Sequence, residues 1–151
     1  MYKKRLKYLR EEMKLKQVEI SKLLEFKDNV YSQFEREETI IPIKHLNTLC
    51  NYFDCSLDYI FEFTDTKKYK NMKKEINKEI SGKRLKEIRK ELNIKQYELA
   101  NLLNVDNSML SKYELGKYTI ATTYLYQICK KYNISADYLL GKIDNPKYLN
   151  K

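Results

Sequence analysis

The chain has 151 residues, with 30 Lys and Arg against 21 Asp and Glu, a formal charge of +9. Three glycines and two prolines are too few for folds that turn often, which excludes sandwiches, barrels, hairpin stacks and glycine-rich phosphate loops. There is no membrane-length apolar run, no signal-peptide start and no metal-ligand spacing among Cys50, Cys55, Cys129 and the lone His45, so a cytoplasmic, all-α protein without metal or cofactor is expected.

Sliding the sequence by 79 residues aligns 5–65 with 84–144 without a gap, with 19 identities in 61 positions. Arg5-Leu6-Lys7 meets Arg84-Leu85-Lys86, Lys16-Gln17 meets Lys95-Gln96, and Asp58-Tyr59 meets Asp137-Tyr138. Two tandem copies fit a duplicated domain of about 60 residues better than a solenoid, which needs at least three units. The expected domains are 1–66, a basic connector 67–80, and 81–151.

Each copy reads as five short helices. In the first copy Glu25, Glu37 and Glu62 fall at predicted helix ends, where a left-handed residue is favoured and a non-glycine costs about 1–2 kcal/mol. A carboxylate there also opposes the helix dipole. The first copy is therefore expected to end these helices differently or to lose stability. Its third predicted helix presents Asp28, Asn29, Ser32 and Gln33. Asn29 and Gln33 are the candidates for base contact, since a carboxylate at Asp28 is disfavoured beside phosphates.

In the connector, Met72, Ile76 and Ile80 step by four, which predicts a helix whose lysines could track phosphates. In the second copy Leu85, Ile88 and Leu92 give the first helix one apolar stripe, and Gln96 opens a second that buries Leu99, Ala100 and Leu103. Asn104 suits a left-handed exit and Asp106 an N-cap. A third helix with Leu110 and Tyr113 inward ends at Gly116, a fourth carries Leu125 and Cys129, and Ser135 caps a fifth that closes at Gly141. Two helices joined by about three residues form the arrangement that projects the second into the major groove.

The stretch Q-Y-E-L-A-N-L-L-N-V-D-N-S-M-L-S-K-Y-E-L-G-K from Gln96 to Lys117, followed by N-I-S-A-D-Y-L-L-G, resembles the Cro/phage-repressor (XRE-type) helix-turn-helix family. Residues 5–62 match the same frame more weakly. The resemblance implies two tandem five-helix repressor-like domains in a transcriptional regulator, probing a double-stranded DNA operator with the third helix. It implies phosphate contact by Gln96, and by Gln17 in the first copy. Asn107, Ser108, Ser111 and Lys112 would face the groove, with Lys117 on a phosphate. It further implies ion pairs tying the first helix to the third, Arg89 with Glu114 and Arg10 with Glu35.

Charge separates the copies. Residues 1–66 hold 11 basic and 12 acidic side chains, 67–80 hold six and two, and 81–151 hold 13 and seven. The second copy is therefore expected to be the stronger reader. The resemblance implies a sequence-specific regulator of the repressor type. The alternative is a protein-interaction or antitoxin-like module whose first copy mediates homodimerisation or partner binding. No enzyme motif stands out, and the sequence names no small-molecule effector.

Overall fold

The computed structural model describes residues 1–149. They form ten helices in two compact units, Met1–Tyr69 and a second from Lys70 onward. Among the described residues no β-strand forms, and one isolated antiparallel bridge joins Ile134 to Tyr148.

In unit 1, α1 (Lys3–Glu12), α2 (Gln17–Leu23), α3 (Val30–Glu35), α4 (Ile43–Tyr52) and α5 (Leu57–Ile60) surround a core that includes Leu6, Ile20, Tyr31, Leu46 and Cys50, each at most 1% exposed. Unit 2 repeats the order with α6 (Lys78–Glu91), α7 (Gln96–Leu103), α8 (Asn107–Glu114), α9 (Thr122–Tyr132) and α10 (Ala136–Leu139), around Leu85, Leu110, Leu125 and Cys129. The longer helices bury residues three or four apart and turn their polar faces to solvent.

The helix ends repeat as closely as the cores. Unit 2 takes left-handed backbone at Asn93, Asn104, Gly116, Asn133 and Gly141, residue types suited to it. Unit 1 takes it at the matching positions with Lys14, Glu25, Glu37, Asp54 and Glu62, at φ between 53° and 63°. The glutamates therefore adopt the same turns under strain instead of ending the helices differently. Glu37 has a partial offset, because its carboxylate accepts from the Met1 ammonium (3.1 Å) and the Lys3 N–H (3.0 Å) at the start of α1.

The connector is not the helix that its four-residue spacing predicts. Lys67 accepts from Ser56 N–H (2.7 Å) and the Tyr69 hydroxyl donates to buried Asp58 (2.8 Å), which places 67–69 on unit 1. From Asn71, left-handed at φ 57°, the chain runs irregularly over unit 2, with Lys73 N–H bonded to Lys142 and Asn77 N–H to Leu140. Backbone groups committed to these partners are lost to a helical ladder. The Asn77 side chain, accepting from Ile80 N–H at 3.0 Å, starts α6, so only Lys78–Ile80 of the connector are helical.

Gly82 lies inside α6. A Cβ there would stand 2.6 Å from the Tyr113 carbonyl oxygen and 2.7 Å from that of Glu114. The missing side chain lets α6 cross α8 at backbone distance, whereas the matching position on α1 is Lys3.

Candidate nucleic-acid interface

In unit 2 the turn from α7 to α8 passes through Asn104 (φ 56°, ψ 47°) and extended Asp106. Asp106 holds the N-cap position of α8 by its backbone, and its carboxylate makes no capping bond. Leu110 and Tyr113 anchor one side of α8 in the core. The other side presents exposed Asn107, Ser108 and Lys112 with half-buried Ser111, and Lys117 is exposed beyond it. Ser108, Ser111, Lys112 and Leu115 recur at the i, i+3, i+4, i+7 spacing of one helix face. Leu115 is 65% exposed and Tyr118 54%, with the Lys112 ammonium 5.8 Å from the Tyr118 ring. Sequence reasoning passed over both apolar groups.

The orientation of α8 is fixed from below. Glu114, almost fully buried, takes a bidentate pair from Arg89 at 2.6 and 3.0 Å, and the Arg89 guanidinium also donates to the Ile94 carbonyl at 2.9 Å. Gln96, first residue of α7, directs its amide nitrogen to the same carboxylate at 3.2 Å. That nitrogen thus ties α7 to α8. The pairing holds Arg89 more firmly protonated, chiefly through its bond to Glu114. With every polar group in the cluster bonded, burial of the pair costs little and sets the pitch of the exposed helix.

Unit 1 builds the same joint with more members. Arg10 pairs with Glu35 at 2.7 and 3.0 Å and donates to Leu15 carbonyl; Gln17 donates to Glu35 at 2.6 Å, and the buried Tyr31 hydroxyl donates at 3.0 Å. Burial alone would raise the Glu35 carboxyl. The bonds from Arg10, Gln17 and Tyr31, with the guanidinium charge, outweigh it and hold the group below the ordinary carboxylate value. Burial and the Glu35 charge push the Tyr31 hydroxyl up. Ser21 completes the network by accepting from Tyr31 N–H at 3.0 Å and donating to the Asp28 carbonyl. Unit 2 has Leu110 and Ala100 at the Tyr31 and Ser21 positions, so the first joint is polar where the second is apolar.

The exposed helix of unit 1 is shorter. α3 begins at Val30, with Asn29 as its N-cap position and Asp28 before it, whereas the matching Asn107 and Ser108 lie in the first turn of α8. Asn29 is exposed, and Ser32 and Gln33 are half-buried. Lys3, Lys7, Lys16 and Arg36 join Arg10, Gln17 and Glu35 around an open cleft of about 520 Å³ beside it. Their scatter through the sequence hid this basic rim. By whole unit, residues 1–69 hold 13 basic and 12 acidic side chains, and 70–151 hold 17 and nine.

A second repeated arginine braces each unit. Arg84 donates to the Tyr138 and Ile143 carbonyls at 2.5 and 2.7 Å, bonds Asp144 at 3.1 Å, and lies 4.0 Å from the Tyr138 ring centre. Arg5 meets Tyr59, Thr64 and Asp65 in the same way. The signal was present in the repeat, where Arg5, Tyr59 and Asp65 all meet identical residues.

Two short helices joined by a turn, the second with one face buried and the other turned to solvent, make a helix-turn-helix arrangement, and this chain carries it twice. Residues 82–145 match a family described as helix-turn-helix domain, and residues 6–60 a second described as helix-turn-helix. The XRE-type resemblance therefore holds in both halves. Among curated proteins, the chain is similar to the HTH-type transcriptional regulator ImmR of Bacillus subtilis, 46% identical over 61 residues, which is 40% of this chain and 48% of that protein. It is also similar to the antitoxin PezA of Streptococcus pneumoniae, 34% identical over 67 residues, 43% of this chain and 42% of that protein. Each match thus spans less than half of the relative. No solved structure gives a significant match.

Proposed function

We propose that the protein is a cytoplasmic, sequence-specific regulator that binds double-stranded DNA, with α8 as its principal reading helix and repression by operator occupancy as its mode of action. The observation that carries this reading is the exposed Asn107–Ser108–Ser111–Lys112 face, held at fixed pitch by the Arg89–Glu114–Gln96 joint. Asn107 offers a bidentate partner for adenine and Lys112 a donor for guanine O6 and N7, while Leu115 offers apolar surface to a thymine methyl. Lys117, just past the helix, suits a phosphate. Unit 1 reads more weakly through Asn29 and Gln33, since α3 starts late and its charge is near balance. The relative named as a transcriptional regulator supports the reading.

Selection of duplexes from random DNA, with a salt titration of the winners, tests it. The expected result is a defined site whose bases respond to Asn107 and Lys112 substitution, with affinity falling steeply as salt rises. Failure to enrich any sequence would sink it. An antitoxin-like role, in which the chain also holds a partner protein, is the second reading and is supported by the relative named as an antitoxin.

A further inference from the structure

The two units differ on the face formed by the end of α1, the end of α4 and the start of α5. In unit 2 this face is covered. Lys147 lies across it and bonds Glu87 at 3.1 Å and Glu91 at 2.6 Å, and the Tyr148 hydroxyl donates to Glu91 at 2.9 Å. The matching face of unit 1 holds a groove of about 200 Å³ lined by Tyr8, Leu9, Met13, Phe53 and Tyr59 together with Glu12 and Lys67. Tyr8 is 53% exposed, Met13 48% and Tyr52 41%, and the Tyr52 ring packs on Phe53 at 5.3 Å. Where unit 1 has Tyr8 and Tyr52, unit 2 has Glu87 and Lys131. Among the described residues, neither Glu12 nor Lys67 has an ion-pair partner, although Glu91, the match of Glu12, is bonded twice over.

We propose that this groove is the interface through which two copies of the chain form a homodimer. An isologous contact needs a self-complementary patch, in which residue i meets j and j meets i. Apolar groups beside one free carboxylate and one free ammonium meet that need, because a twofold axis sets Glu12 of each copy against Lys67 of the other. Large exposed apolar groups gathered on one face mark such a contact. The pairing gives unit 1 a task that its short α3 does not, and it puts two α8 helices in one assembly. Half-sites about 34 Å apart on one DNA face are read by dimers of this kind. The inference concerns unit 1 in the absence of DNA, so it stands or falls apart from the reading of α8.

The test is sedimentation equilibrium of the full chain, without DNA, from low to high micromolar concentration. The expected result is a reversible dimer. Tyr8→Glu with Tyr52→Lys installs the residues that unit 2 carries at exposed positions, and should raise the dimer dissociation constant by about tenfold or more with unchanged helical circular dichroism. Glu12→Lys and Lys67→Glu should each weaken the dimer, and the double reversal should restore it. A wild-type chain that stays monomeric throughout overturns the proposal. A dimer that survives the tyrosine substitutions, or a double reversal that fails to restore it, likewise overturns it.

Discussion

Glu62→Gly should stabilise unit 1. Glu62 sits at φ 62° at the end of α5, exposed and without a side-chain bond among the described residues, where Gly141 closes α10 at φ 78°. Glycine there removes a left-handed penalty of about 1–2 kcal/mol and a dipole conflict of about 0.3–1 kcal/mol, against about 0.5–1 kcal/mol of added backbone entropy in the unfolded chain. The net gain is about 1 kcal/mol, or about 4–8 °C in the melting temperature of a domain this size. Glu37→Gly relieves similar strain at φ 58° but deletes the acceptor of the Met1 ammonium and the Lys3 N–H, so it should be neutral or destabilising. Gly141→Glu is the converse control, since its Cβ would come 3.2 Å from Asn77 Cβ and 3.3 Å from Ile80 Cγ2, and unit 2 should lose stability. Calorimetry on the full chain reads all three. Equal gains from Glu62→Gly and Glu37→Gly, or no gain from Glu62→Gly, would refute the account of where the strain lies.

Arg89→Met leaves Glu114 buried without its ion partner and should cost unit 2 about 3–5 kcal/mol, measurable by urea unfolding; a loss no larger than that of an exposed lysine would show the joint to be dispensable. Acid should weaken the joint of unit 1. The folded Glu35 value lies below its unfolded one, so its contribution is fully present above the unfolded carboxylate value of about 4.3. It is lost as pH falls through the lower folded value, and Glu35→Gln should flatten that part of a stability–pH curve. For DNA, Asn107→Ala with Lys112→Ala should weaken specific binding by about 1–3 kcal/mol per bidentate base pairing removed, with a smaller effect from Asn29→Ala with Gln33→Ala. Equal effects at one salt concentration would show the ranking of the two units to be wrong.

Legibility in the sequence followed the range of the forces involved. The helices were readable because apolar spacing is local, and the duplication doubled each signal. The left-handed ends at Asn104, Gly116 and Gly141 were readable from residue type, whereas Lys14 and Asp54 were missed because neither residue advertises that backbone. The connector misled because Met72, Ile76 and Ile80 mimic a stripe, while its backbone partners, Leu140 and Lys142, lie more than 60 residues away. Gly82 gave no local signal, since only the crossing with α8 shows why a side chain is forbidden there. The network that Ser21 and Tyr31 complete exists only once α2 and α3 are placed.

The bonds that Lys67 and Lys147 accept from Ser56 and Ser135 also bear on where such a chain can be cut. The helix-turn-helix match in the first half stops at residue 60, before the segment that folds back onto the α4–α5 corner and buries the Asp58–Tyr69 bond. In the second half the match stops at residue 145, short of Lys147, whose partners Glu87 and Glu91 lie inside it. A fragment trimmed to either motif would be stripped of its closing clasp. The natural seam is the peptide bond between Tyr69 and Lys70. Halves exchanged between proteins of this kind should be joined there, because each carries its own fastening on its own side.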